Sequence, residues 1–376
     1  MTTLAVWRCF DYTGECITCL PDHRFHNKRG FPMTLPTSSS LAPHLSDALQ
    51  APPPQPKVVV IGAGRWGRNL IRNLYQLGGL YGVCDAQAAS IATTQGVLNN
   101  WVSPSAEVTP ETVQWFTTLD AVIADPAVDA VMIATPSHTH AALAMKALRA
   151  GKHVYVEKPM ATTTADAHAV HQLATAQEKL LMVGHLLIYH PAVNRLRDFV
   201  RDGELGEIAY IHSDRLNYNA FRSDESVLWD LAPHDLSLMG WVLGEMPESV
   251  VQAYGQRTAP DGKVDVGMMS VRFSSGLVGH LACSWVHPQK QVRLLVRGHK
   301  RTAVLDDTLA EGKLQVFNTE SGELVREEPL DYLPLEPLAL ECQHFLNCIR
   351  YGTVPQSHAE QGVITVSLLE MAHRML

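Results

Sequence analysis

The 376-residue sequence predicts an α/β protein of two unlike domains behind an irregular N-terminal stretch. Three observations carry that expectation. A β-branched run, Val58 to Ile61, is followed at once by glycines at 62, 64 and 67 and by an apolar stripe at helical spacing, Leu70, Ile71, Leu74 and Leu77. Unbroken apolar segments then alternate with helical ones up to residue 183, the texture of a parallel sheet covered on both faces. From Gly184 onward, segments of alternating polarity are separated by turn signals such as Asp261-Gly262 and Ser275-Gly276, the texture of an antiparallel sheet.

Residues 1–56 do not share either texture. They hold a Ser/Pro-rich run that ends in Ala51-Pro52-Pro53-Pro54-Gln55-Pro56, and they are expected to be a disordered tail with a proline-rich linker, or an extension ahead of a later start near Met33. Cys16, Cys19, His23 and His26 are metal-ligand types, but three residues separate the two pairs. A zinc finger of that kind needs about twelve or more, so no metal is expected.

Residues 57–183 read as a Rossmann dinucleotide-binding domain. In G-x-G-x-x-G, Gly62 allows the tight turn, Gly64 lets the backbone approach a pyrophosphate, and Gly67 lets the helix pack on the strand. The helix N-terminus then offers N–H groups and partial positive charge to the phosphates. Asp85 closes the next apolar stretch, where a carboxylate can accept from the adenosine ribose hydroxyls. Ala86 and Gln87 follow it, with no arginine to receive a 2′-phosphate, so NAD is expected over NADP; Arg65, inside the turn, is the residue that keeps NADP open. Helices are expected over 86–98, 118–125, 140–149 and 166–179, and strands over 129–134, 153–156 and 180–183. Thr135, Glu157 and Lys158 lie at strand carboxyl ends, where open α/β sheets bind their ligands.

Residues 184–376 read as a substrate-binding and oligomerisation domain. A helix is expected over 194–200, then strands over 208–216, 250–256, 266–273, 277–285, 291–297 and 301–305, a covering helix over 235–243, and closing helices over 338–351 and 358–373.

Formal charge is −8, from 30 basic and 38 acidic residues, and no basic run appears, so a nucleic-acid partner is not expected. No apolar run is long enough to span a membrane, and seven scattered cysteines do not form a disulfide framework, which points to the reducing cytoplasm.

The motifs Gly62-Ala63-Gly64-Arg65-Trp66-Gly67, Thr135-Pro136 with His140, Glu157-Lys158-Pro159 and Asp230-Leu231-Ala232-Pro233-His234-Asp235 together resemble the glucose-fructose oxidoreductase / inositol dehydrogenase (Gfo/Idh/MocA) family over residues 57–376. Ala232 departs from the usual glycine and Ser137 from the usual asparagine. The resemblance implies an open-faced, mainly antiparallel C-terminal sheet and a homodimer or homotetramer built through it. It adds Trp66, Pro136 and His140 to the cofactor-binding set. Alcohol oxidation needs a hydride acceptor, a base and charge for the alkoxide. The expected assignments are His234 as base, Asp230 as its orienting carboxylate and Lys158 as alkoxide stabiliser. A finer resemblance, over 184–192 and 213–217, is to the nucleotide-sugar 3-dehydrogenase branch, which oxidises UDP-N-acetylglucosamine-type sugars. It puts Tyr189, His190, Arg215 and Asn217 at the substrate. Alternatives from the same residues are a polyol or inositol dehydrogenase, a deoxysugar 3-ketoreductase, or a catalytically silent dinucleotide-binding sensor.

Overall fold

The computed structural model describes residues 54–103, 108–218, 225–258 and 262–376, together with two short strands, Cys9–Phe10 and Cys16–Ile17, that pair antiparallel. Those strands belong to a unit of their own, Met1–Pro52. The other expectations for residues 1–53, including Cys19, His23 and His26, lie outside the described residues.

The remaining chain starts from β1 (Val58–Ile61), whose four side chains are all buried. Such strands need helices on both faces. α1 (Gly67–Gln76) supplies one cover, burying Leu70, Ile71 and Leu74. Then follow β2 (Leu80–Cys84), α2 (Ala88–Leu98), β3 (Gln114–Phe116), α3 (Leu119–Ala124), β4 (Ala130–Ile133), α4 (His140–Arg149), β5 (His153–Glu157), α5 (Thr164–Ala176) and β6 (Leu181–Gly184). α3 and α5 begin on Thr118 and Thr163, whose hydroxyls accept from the third residue on. The strands run parallel in the order β3-β2-β1-β4-β5-β6. This is the order of dinucleotide-binding sheets, with the topological switch point between β1 and β4.

α6 (Pro191–Arg201) leads into a second sheet of β7 (Ile208–Tyr218), β8 (Ser249–Gln256), β9 (Val266–Arg272), β10 (Val278–Ser284), β11 (Val286–Gly298), β12 (Arg301–Asp306), β13 (Leu314–Asn318) and β14 (Val325–Arg326). Their order is β8-β9-β10-β7-β11-β12-β13-β14. Pairing is antiparallel except between β7 and β10. One face packs on α7 (Val227–Leu243), whose Leu236, Met239 and Val242 join the core with Ile211, Val271, Leu281 and Leu294. The other face leaves Tyr210, Tyr254 and Met268 exposed.

Several elements differ from the sequence expectation. α7 begins eight residues before 235, because Pro233 reads as a helix breaker yet sits in the helix's second turn. β3 has only three residues, too short to show a period. The closing helices α8 (Pro337–Tyr351) and α9 (Ala359–His373) return to the parallel sheet. Leu338, Phe345 and Leu346 share a core with Val58 and Val60, and Ala359, Val363 and Val366 pack with Val156 and Val183. No helix among the described residues is long and apolar enough to cross a membrane.

Candidate active site

The glycine turn follows from steric necessity. Gly62 has φ of +99°, and a Cβ there would lie 2.7 Å from the Ala134 carbonyl oxygen; a Cβ on Gly67 would lie 1.8 Å from the Gly62 oxygen. Around Gly64 there is nothing within 4 Å of a Cβ, so its backbone faces open space. Asp85, at the end of β2, accepts from Ala63 N at 2.7 Å and from Gln87 N at 2.8 Å. The carboxylate therefore stands against the turn, with lone pairs left for ribose hydroxyls. A cradle kept open by glycine, a helix N-terminus and a carboxylate beside it fit a dinucleotide.

From the ends of β1, β4 and β5 a cavity of about 500 Å³ opens toward the start of α7. Arg65, Trp66, Thr135, Pro136 and Glu157 line it together with Lys158, Asp230 and His234. Trp66 donates its indole N–H to Glu157 Oε1, which ties the glycine turn to the end of β5. His140 is buried between two loops, its Nδ1 2.8 Å from the Pro159 carbonyl and its Nε2 2.8 Å from the Thr135 carbonyl. Burial holds its pKa below the usual value, against the pull of those carbonyls. His140 joins the Thr135 loop to the Lys158 loop and lines the cavity, its ring nitrogens engaged by those two carbonyls.

Lys158 and Asp230 come from different sheets' neighbourhoods, 72 residues apart, and meet across the cavity. Lys158 Nζ donates to the Asp230 main-chain oxygen at 2.6 Å and to its Oδ1 at 3.3 Å. Asp230 Oδ2 accepts from Trp285 Nε1 at 3.2 Å. The Asp230 carboxylate thus positions the lysine, where the sequence alone directs the expectation to the imidazole of His234. Ser226 stands at the helix N-cap position, so Asp230 is inside the first turn and its carboxylate projects across the cavity. His234 lies one turn further along α7, on the same wall. Trp285, on the short link between β10 and β11, was missed. Its indole has no sequence signal that distinguishes it from a packing tryptophan.

The four expected substrate residues lie elsewhere. Tyr189 is buried, with its hydroxyl 2.9 Å from Ser357 Oγ. His190 caps α6, its Nδ1 accepting from Ala192 N at 3.0 Å, and its Nε2 is 3.5 Å from Asp307. Arg215 donates from Nε and Nη2 to the two oxygens of Asp235, at 2.9 and 3.0 Å. Its fork is therefore committed to a buried carboxylate and not presented to a diphosphate. Asn217 sits near the end of β7 and does not line the 500 Å³ cavity. No cluster among the described residues is arranged to hold a metal ion.

A glycine-turn cradle and a lysine, carboxylate and histidine gathered on one cavity define a dinucleotide-dependent oxidoreductase. The comparisons agree. Residues 56–185 match the oxidoreductase family with an NAD-binding Rossmann fold, and residues 193–304 match the GFO/IDH/MocA C-terminal domain. The UDP-N-acetylglucosamine 3-dehydrogenase of Acidithiobacillus ferrooxidans is 32% identical over 296 residues, 77% of this chain and 87% of that protein. Its crystal structure superposes with a TM-score of 0.72 at 27% identity, covering 85% of this chain and 97% of the other. The scyllo-inositol 2-dehydrogenase (NAD(+)) of Bacillus subtilis is 24% identical over 318 residues, 80% of this chain and 88% of that protein. The chain belongs to the Gfo/Idh/MocA oxidoreductase family, and its cofactor is NAD.

Asp85→Ala removes both turn hydrogen bonds and the ribose acceptor. It is expected to weaken NAD binding by about tenfold or more, the size of a hydrogen bond to a charged group, and to narrow the preference over NADP. Calorimetric titration with each dinucleotide checks both.

Proposed function

We propose that this protein transfers hydride between a secondary hydroxyl of a nucleotide sugar, at C3, and NAD. The observation that carries the reading is the meeting of Lys158, Asp230 and His234 in the cavity that also contains the glycine turn. His234 takes the hydroxyl proton as general base, since imidazole titrates near neutral pH. Lys158, held by Asp230, donates to the same oxygen as charge develops on it. NAD, when bound, supplies the hydride acceptor, and Gly62, Gly64, Gly67, Asp85, Thr135 and Pro136 hold it.

A second cavity of about 520 Å³ adjoins the first, sharing Ser137 and Glu225 with it. Trp229, Arg257 and Lys263 line this second space. An aromatic face and cations suit a nucleotide better than they suit a free polyol. The A. ferrooxidans relative's name supports the same substrate class. The B. subtilis relative's name supports the polyol alternative. The exposed sheet face, where Tyr254 and Met268 are cross-strand partners, supports a homodimer or homotetramer.

The test is a panel of nucleotide sugars and inositols with NAD and NADP, followed by absorbance of the reduced cofactor. Turnover of a UDP-N-acetylhexosamine with NAD is expected. Turnover of inositol alone sinks the nucleotide-sugar reading, and no turnover of any alcohol sinks the enzyme assignment of these residues.

A further inference from the structure

Behind the Lys158–Asp230 pair stands a residue that the reaction above does not use. Trp285, between β10 and β11, is fully buried, and its ring lies in the core shared by the second sheet and α7. Its main-chain N–H donates to the Asp265 main-chain oxygen at 2.9 Å. Asp265, just before β9, is buried too, and its carboxylate accepts from Thr258 N at 3.0 and 2.9 Å and from Thr258 Oγ1 at 2.8 Å. Trp285 is therefore fastened both by its backbone and by its ring, and its indole N–H donates to Asp230 Oδ2 at 3.2 Å. A buried indole N–H needs an acceptor, and a main-chain carbonyl would serve. In this protein the acceptor is the same carboxylate that faces the lysine.

The distances show how the carboxylate is shared. Lys158 Nζ lies 3.3 Å from Asp230 Oδ1, long beside the about 2.7–2.9 Å of a close charge-assisted hydrogen bond. Its bond to the Asp230 main-chain oxygen is 2.6 Å. The lysine is thus held closely by the main chain and more loosely by the carboxylate, whose other oxygen is engaged by the indole. A lysine ammonium has three N–H groups. Two are used on Asp230, which leaves one for a substrate oxygen. A carboxylate released from the indole can turn further onto the ammonium, and a closely paired ammonium has less charge to offer a developing alkoxide. An indole suits this holding role, because it only donates and carries no charge, so it does not compete with the lysine.

We propose that Trp285 is a positioning residue of the reaction: its indole N–H keeps the Asp230 carboxylate from closing on Lys158, so that one lysine N–H stays available to the oxygen of the alcohol. The inference rests on the reading that Lys158 donates to that oxygen.

The experiment replaces Trp285, in the full-length protein, by benzothienylalanine, which keeps the shape of the ring and has sulfur in place of the N–H. UDP-N-acetylglucosamine is the alcohol and NAD the acceptor, with kcat expressed per NAD-binding site. The replacement should lower kcat by about tenfold or more, the scale of one hydrogen bond to a charged group, while KM for the sugar and the dissociation constant of NAD change little. In a Lys158→Met background it should lower kcat no further, since its effect passes through the lysine. A merely structural role predicts the same fractional loss in both backgrounds, and that outcome overturns the proposal, as does an unchanged kcat in the single replacement. Should the analogue not fold, Trp285→Phe, which also lacks the N–H, takes its place. Denaturant midpoints decide without any substrate. Shifts from the Trp285 replacement and from Lys158→Met that simply add make the residues independent and overturn the proposal; shifts that fall short of adding support it. No turnover of any alcohol by the unaltered protein overturns instead the reading of Lys158 on which the proposal stands.

Discussion

Replacing His234 by alanine is expected to lower kcat by at least about a hundredfold, within the range of about 10²–10⁴ that a positioned acid–base group supplies. The geometry behind this is the shared wall. His234 and Lys158 border one cavity, with Asp230, one turn before His234 on α7, in contact with the lysine. Neither side chain belongs to the glycine turn, so affinity for NAD should change little. Lys158→Met should lower kcat to a similar degree, because a neutral side chain cannot stabilise an alkoxide. It also carries a stability effect through the Lys158–Asp230 pair. The Lys158 and Asp230 side chains are 13% and 8% exposed, and removing one leaves the other's charge poorly compensated. Turnover of the lysine variant is therefore to be read on cofactor-saturated protein whose folding has been checked by circular dichroism. Combining the two substitutions should cost far less than the product of the single losses, since both groups serve one transition state. Near-normal turnover in His234→Ala, on a substrate the unaltered protein oxidises, removes the base from His234.

What was legible in the sequence was what is local. The glycine turn, β1 and Asp85 lie within one βαβ unit, and their chemistry is written at fixed offsets that steric rules enforce. Strand ends could be read because buried parallel strands are continuous apolar runs, and Lys158 follows one. Partnerships across long separations could not be read. Asp230 sits four residues from His234, and that spacing drew attention to an imidazole; its bonds to Lys158 and Trp285 come from packing two sheets together. The expectation for Arg215 and Asn217 rests on a short resemblance over 213–217, which does not say what the shared face of Ser213, Arg215 and Asn217 on β7 meets. The structure turns Ser213 and Arg215 toward Asp235 on α7. The burial of Glu341, on α8, is not legible in the sequence for a related reason. A lone acid between Leu340 and Cys342 in a helix reads as a solvated face, and only the return of α8 onto the parallel sheet buries it.

Asp235→Ala is expected to destabilise the protein by roughly 3–5 kcal/mol, the cost of leaving one member of a buried pair uncompensated. Asp235 is fully buried and accepts three bonds, two from Arg215 and one from the Ser213 hydroxyl at 2.7 Å. Without it, the Arg215 guanidinium, with only 12% of its side chain exposed, keeps its charge inside the interface between β7 and α7. Arg215→Met should cost less, because the carboxyl left behind can take up a proton and an arginine cannot discharge. The double variant Arg215→Met/Asp235→Leu should recover much of the loss, since apolar side chains of similar volume commonly replace a buried pair at little cost. Denaturant midpoints for the unaltered protein, Arg215→Met, Asp235→Leu and the double variant close the double-mutant cycle and give the coupling energy directly. The same cycle separates two roles for Arg215. A pairing role predicts lost stability in Arg215→Met with a small change in KM. A role at the substrate diphosphate predicts the reverse: a large rise in KM in a protein that unfolds at an unchanged midpoint. The committed fork of Arg215 favours the first outcome, and a stable Arg215→Met variant with weakened substrate binding would return the residue to the substrate site.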